Sequence, residues 1–73
     1  MISYKELLKD IGINIRTERT RKGLSQEKFA ELAGVHTNYI GKIERGEQNL
    51  TIKKLADILN SLDLHIEIVI KNR

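Results

Sequence analysis

The sequence predicts a small all-α domain of four helices followed by one short C-terminal β-strand, and three observations predict it. Apolar residues recur at helical spacing through most of the chain. Glycines at 23, 34 and 46 and hydroxyl residues at 3, 25 and 51 punctuate that pattern as stops and starts. After Asp63 the apolar period changes to two. A length of 73 residues leaves room for one domain, and 40% hydrophobic with 32% charged residues supplies both a core and a solvated surface. Multi-domain enzymes and disordered tails are excluded.

The first helix opens at Ser3, which forms a capping box with Glu6, and runs through Tyr4, Leu7, Leu8, Ile11 and Ile15 to a stop at Gly23. The second starts after Ser25 as N-cap. It carries Gln26 and Glu27 in its first turn, where the helix dipole favours acid, buries Phe29, Ala30, Leu32 and Ala33, and ends at Gly34. The third covers about Thr37 to Arg45, with Ile40 and Ile43 as its strongly apolar pair, and stops at Gly46. So short a helix needs neighbours to hold it. A loop from Glu47 to Leu50 leads to Thr51, N-cap of a fourth helix whose Ile52, Leu55, Ala56, Ile58, Leu59 and Leu62 form a wide apolar face ending near Asp63. Beyond it Leu64, Ile66, Ile68 and Ile70 alternate with His65, Glu67, Val69 and Lys71, the pattern of a strand. A lone strand in a helical chain lacks a partner, so Leu64, Ile66, Ile68 and Ile70 are expected to pair antiparallel with their copies in a second subunit. The chain then divides into a helical domain, 1–63, and a dimerisation strand and tail, 64–73.

Composition narrows the function. A chain this short buries only about 60% of its unfolded surface and ordinarily needs a staple. Without cysteine it has neither disulfides nor thiolate zinc sites, which fits a reducing compartment and leaves self-association. No run approaches the roughly 18 apolar residues of a membrane span, and Met1 to Lys5 does not lead into a signal peptide, so a cytoplasmic protein without a membrane partner is expected. The net charge of +3 points to an anionic partner, and the excess lies in residues 1–25, with six Lys or Arg against three Asp or Glu. His36 and His65 are the only imidazoles and lie in separate elements. With no acid or nucleophile beside them and no glycine-rich phosphate loop, no enzyme, metal site or cofactor is expected.

The stretch from Gln26 to Gly46 is the informative one, because two short helices flank the turn Gly34-Val35-His36. If Ile40 and Ile43 face the core, the helical step leaves Thr37, Asn38, Gly41, Lys42 and Arg45 on the outer face, which a major groove about 12 Å wide accepts. Asn38 offers donor and acceptor to adenine, Lys42 a donor to guanine O6 and N7, and Thr37 a methyl to thymine. On an isolated short helix such side chains are ordinarily just solvated.

The surrounding residues change that balance. The run from Leu24-Ser25-Gln26-Glu27-Lys28-Phe29-Ala30 through Glu31-Leu32-Ala33-Gly34-Val35, then Tyr39-Ile40-Gly41-Lys42-Ile43-Glu44-Arg45-Gly46, resembles the XRE/Cro-type repressor family, and the match extends from Ile15, Arg16, Arg19 and Gly23 to about Leu62. The resemblance implies a lambda-repressor-like helix-turn-helix bundle acting as a transcriptional repressor on a pseudo-palindromic operator of double-stranded DNA, as a homodimer. It assigns base reading to Thr37, Asn38 and Lys42 and a backbone phosphate to Gln26. It places Arg45, Gln48, Asn49 and the backbone around Thr51 on phosphates at the other side, and His36 on a phosphate or a base. Arg19 and Glu44 resemble a structural ion pair between the first helix and the end of the third. Arg16 stays open between structure and DNA, and Tyr39 between a half-buried core aromatic and a DNA backbone contact. Lys53 and Lys54 read as a solvated face.

Two branches of the family are similar. HipB-type antitoxins, which would add a kinase-like toxin as partner, are similar through Leu59-Asn60-Ser61-Leu62-Asp63-Leu64 and Ile66-Glu67-Ile68. Restriction-modification controller proteins are similar through Tyr39-Ile40, Ile43-Glu44-Arg45-Gly46 and Asn49-Leu50-Thr51-Ile52, and typically continue with a fifth helix. The strand pattern here moves the expectation toward the antitoxin branch.

Overall fold

The computed structural model describes residues 3–72, with helices α1 (Tyr4–Arg21), α2 (Gln26–Ala33), α3 (Thr37–Glu44) and α4 (Ile52–Asn60). Three helices begin on a hydroxyl cap: Ser3 accepts from the Glu6 N–H at 3.1 Å, Ser25 from Lys28 at 3.0 Å and Thr51 from Lys54 at 3.0 Å. All four end alike. A backbone N–H reaches back five residues to a carbonyl in the last turn, Leu24 to Arg19 at 3.2 Å, Val35 to Ala30 at 3.0 Å, Glu47 to Lys42 at 2.9 Å and Leu64 to Leu59 at 3.0 Å. That closure needs a left-handed residue just before the donor, supplied by Gly23, Gly34 and Gly46 and, after α4, by Asp63 at φ 56°. The regular part of α4 therefore stops at Asn60, short of Asp63, because Ser61 to Asp63 tighten into the closing turn.

α3 sits in the middle, against both α2 and α1. Phe29, Ile40, Ile43 and Ile58 are fully enclosed, and Ile15, Ala30, Leu55, Leu59 and Leu62 complete the core. Helices of eight residues are too short to persist alone, so α2 and α3 are held by this burial. Contact between α1 and α3 depends on Gly12, where a β-carbon would lie 2.5 Å from the Ile43 carbonyl oxygen and 2.6 Å from that of Glu44.

Several apolar residues expected inside are exposed. Tyr4, Leu7 and Ile52 stand out of the core because they line an open groove along α1 and α4, Leu7 lying about 100° around α1 from the buried Leu8. Leu32 is also exposed, since the buried stripe of α2 runs through Phe29, Ala30 and Ala33 and leaves Leu32 about 100° away around the helix.

Beyond Asp63 the described residues form neither helix nor ladder. Leu64 and Ile66, expected at a subunit interface, pack against this chain's own core. Ile68, Val69 and Ile70 are 59%, 72% and 92% exposed. Between α1, α4 and this segment runs an open apolar groove of about 870 Å³, lined by Leu7, Ile11, Leu55, Leu59, Ile66 and Ile68 among others. No helix among the described residues is long and apolar enough to cross a membrane.

Candidate nucleic-acid interface

The α2–α3 unit is braced from beneath by one buried carboxylate. Arg19 donates from Nε to Glu44 Oε2 at 2.7 Å, from Nη2 to Oε1 at 3.1 Å and from Nη1 to the Leu24 carbonyl at 2.6 Å. Gln26 Nε2 also donates to Glu44 Oε1, at 3.0 Å. The Glu44 side chain is 3% exposed and that of Arg19 13%, so both charges rely on these bonds in place of water. Three helix ends are thereby joined: the C-terminus of α1, the N-terminus of α2 and the C-terminus of α3. The angle at which α3 is presented follows from that junction. Gln26, expected on a phosphate, is part of the brace, and its amide retains a second N–H for an outside acceptor.

The outer surface of α3 carries the expected base readers. Asn38 and Lys42 are exposed and Thr37 half-buried, and among the described residues none of the three side chains has a hydrogen-bond partner. His36, the N-cap residue, makes no side-chain cap bond, and the Tyr39 N–H, equivalent to the one that the cap hydroxyl accepts in the other three helices, turns to the His36 carbonyl at 3.0 Å instead. Gly41, expected on the same outer face, is buried instead. A β-carbon there would meet Arg45 Nη1 at 3.0 Å and Gln26 Oε1 at 3.8 Å, so guanidinium and amide converge over bare backbone. Arg45 also donates from Nε to Glu47 at 3.0 Å, on the surface.

Flanking residues sit on either side. Tyr39 is half-buried against the core, and the Lys54 ammonium lies 5.8 Å from its ring centroid, within cation–π range. Gln48 Nε2 donates to the Asn49 carbonyl at 3.3 Å, Asn49 Oδ1 accepts the Tyr4 hydroxyl, and the Thr51 hydroxyl is engaged in capping α4. Lys54 was not legible as part of this surface, because a lysine on a helix signals only solvation until the partner ring across the fold is known. Gly12 left a faint signal: a glycine inside a strong helical pattern is unfavourable by about 1 kcal/mol relative to alanine and so points to a packing role.

The outward helix α3, its brace and its flanks have counterparts among known proteins. The helix-turn-helix family HTH_3 matches residues 15–69. The control protein C.SmaI of Serratia marcescens is 34% identical over 65 residues, covering 89% of this chain and 77% of the relative. The HTH-type transcriptional regulator YazB of Bacillus subtilis, itself uncharacterised, is 40% identical over 52 residues, covering 67% and 75%. The restriction-modification controller protein C.AhdI of Aeromonas hydrophila superposes with a TM-score of 0.80 at 34% identity over 88% of this chain and 93% of its own. A braced pair of short helices, an outward α3 with unpartnered polar side chains, and these likenesses agree: the chain belongs to the XRE-type helix-turn-helix family HTH_3 and is a DNA-binding transcriptional regulator.

Proposed function

We propose that the protein represses transcription in the cytoplasm by binding a pseudo-palindromic operator as a homodimer, with one α3 in each of two successive major grooves about 34 Å apart. The observation that carries this reading is the exposed outer face of α3, where Thr37, Asn38 and Lys42 have no partner among the described residues while the brace beneath them is fully bonded. In this role Asn38 and Lys42 read base edges and the Thr37 methyl meets thymine. Gln26 holds a phosphate on one side through its remaining N–H. Arg45, Gln48, Asn49, the backbone at Thr51 and the uncapped start of α3 at His36 hold phosphates around them, and Tyr39 joins that backbone contact through its ring edge. Arg45 reaches a phosphate by exchanging Glu47 for it. Of residues 64–73, the part from Glu67 onward supplies the dimer contact, Leu64 and Ile66 being committed to the chain's own core. Selection of bound sequences from random DNA at a fixed salt concentration tests this: an enriched palindrome with half-sites one helical turn apart is expected, and recovery of random sequence overturns it.

The likeness to C.SmaI and C.AhdI favours one specific role, a regulator of a restriction-modification operon. The period-two segment after Asp63 is what speaks for an antitoxin with a toxin partner instead. The neighbouring gene separates them: a restriction enzyme or methyltransferase supports the first, a kinase-like protein the second.

A further inference from the structure

Resting on the homodimer reading, we propose that Glu67 to Lys71 form the two-fold centre of the dimer, an antiparallel ladder in which Val69 faces its own copy and Glu67 of each chain faces Lys71 of the partner subunit.

The start of the segment is already committed. Leu64 closes α4 through its N–H, and Leu64 and Ile66 lie on the core of their own chain. Ile68, Val69 and Ile70 are the apolar residues left in solvent. From His65 to Asn72 no backbone group has a backbone partner among the described residues, so both edges of this segment are open for a ladder.

The sequence Glu67-Ile68-Val69-Ile70-Lys71 is complementary to itself when reversed. Both copies must turn the same face toward the core, and side chains alternate with period two. The axis therefore passes through a residue and not between two. Centred on Val69, isoleucine meets isoleucine at 68 and 70, and carboxylate meets ammonium at 67 and 71 on both sides. Centred on Glu67, the two carboxylates would face each other; centred on Ile68, His65 would face Lys71 and leave Glu67 opposite Val69. Opposite charges directly across a ladder stabilise it and like charges destabilise it, so the Val69 register is favoured. In that register Ile68 and Ile70 of both chains extend the inner face laid down by Leu64 and Ile66, and close the apolar groove whose rim holds the exposed Leu7 and Ile52.

The chain has no cysteine, so single cysteines report the register directly. Facing residues of an antiparallel ladder have Cα atoms about 4.5 to 5.5 Å apart, within disulfide reach. In the full-length protein under mild oxidation, Val69→Cys should give a covalent dimer. Glu67→Cys should not, because its copy lies four residues out of register, about 14 Å away. Cross-linking at 67 and not at 69 overturns the proposal, and so does a dimer in sedimentation that neither variant cross-links. A wild-type protein that stays monomeric on its operator overturns the homodimer reading itself. Charge exchange gives a second readout. Glu67→Lys and Lys71→Glu should each weaken self-association roughly tenfold, while an equimolar mixture of the two should form heterodimers as tightly as the wild type associates. Two variants that dimerise undiminished on their own overturn the register.

Discussion

Gly12 in α1 lies so close to Ile43 in α3 that a β-carbon on it would stand 2.5 Å from the Ile43 carbonyl oxygen. Backbone therefore rests on backbone, and the end of α3 is docked without an intervening side chain. Gly12→Ala should destabilise the fold by about 1 to 3 kcal/mol through overpacking, even though alanine is the better helix former by about 1 kcal/mol. A thermal melt checks this. At this chain length each kcal/mol lowers Tm by about 4–8 °C, and an unchanged Tm would show that the helices separate freely.

Arg19 and Glu44 should behave as an inseparable pair. Arg19→Met leaves a carboxylate that is 3% exposed with only Gln26 to satisfy it. A loss of about 3 to 5 kcal/mol is expected, as for breaking one side of a buried ion pair. Denaturant unfolding of this variant with the wild-type midpoint would show that the pair contributes nothing.

Gln26 has two duties, and the variant Gln26→Ala should reveal both. Removing its bond to the Glu44 carboxylate should cost about 1.5 to 3 kcal/mol of stability. Removing a phosphate contact should also weaken binding to every DNA sequence alike. The two effects separate when affinity is measured well below Tm on specific and random DNA: a loss confined to the operator would make Gln26 a base reader.

Asn38→Ala and Lys42→Ala should each cost about 1 to 3 kcal/mol on the selected operator and relax the preference at particular base pairs, with the fold unchanged because both side chains are exposed. Binding to operators substituted one base pair at a time checks this. If Lys42→Ala lowers the salt dependence and leaves base preference intact, Lys42 is a phosphate contact.

The C-terminal segment should divide into two halves. Leu64→Ser and Ile66→Ser remove residues packed on the chain's own core and should lower Tm at every protein concentration. Ile68→Ser and Ile70→Ser touch exposed positions and should lower Tm only where the wild type is dimeric, removing its concentration dependence. Melts at several concentrations distinguish the halves, and equal behaviour of all four variants would erase the division.

What sequence alone determined is local. Ser3, Ser25 and Thr51 each offer a hydroxyl to an N–H three residues on, and Gly23, Gly34 and Gly46 tolerate the left-handed turn that closes a helix, so the starts of α1, α2 and α4 and the stops of α1, α2 and α3 were legible from residue type. The exposure of Asn38, Lys42 and Arg45 was legible too, since Ile40 and Ile43 set which face of α3 turns inward. The end of α4 was less so: Asp63, and not a glycine, takes the left-handed conformation, with Leu64 bonded back to Leu59 and packed on the core beyond it. Tertiary structure decided the rest. Which apolar residues of the long α1 are covered depended on which side of it the other helices pack, so Leu8 and Ile15 are inside while Tyr4 and Leu7, equally apolar in pattern, stay exposed along the open groove. Gln26 joined the Glu44 carboxylate, Gly41 lay buried beneath Arg45, and Lys54 came to Tyr39, because residues far apart in the chain meet only once three helix ends converge. Propensity and period act over a few residues, whereas burial and the partners of a buried charge are set by the packing of distant elements.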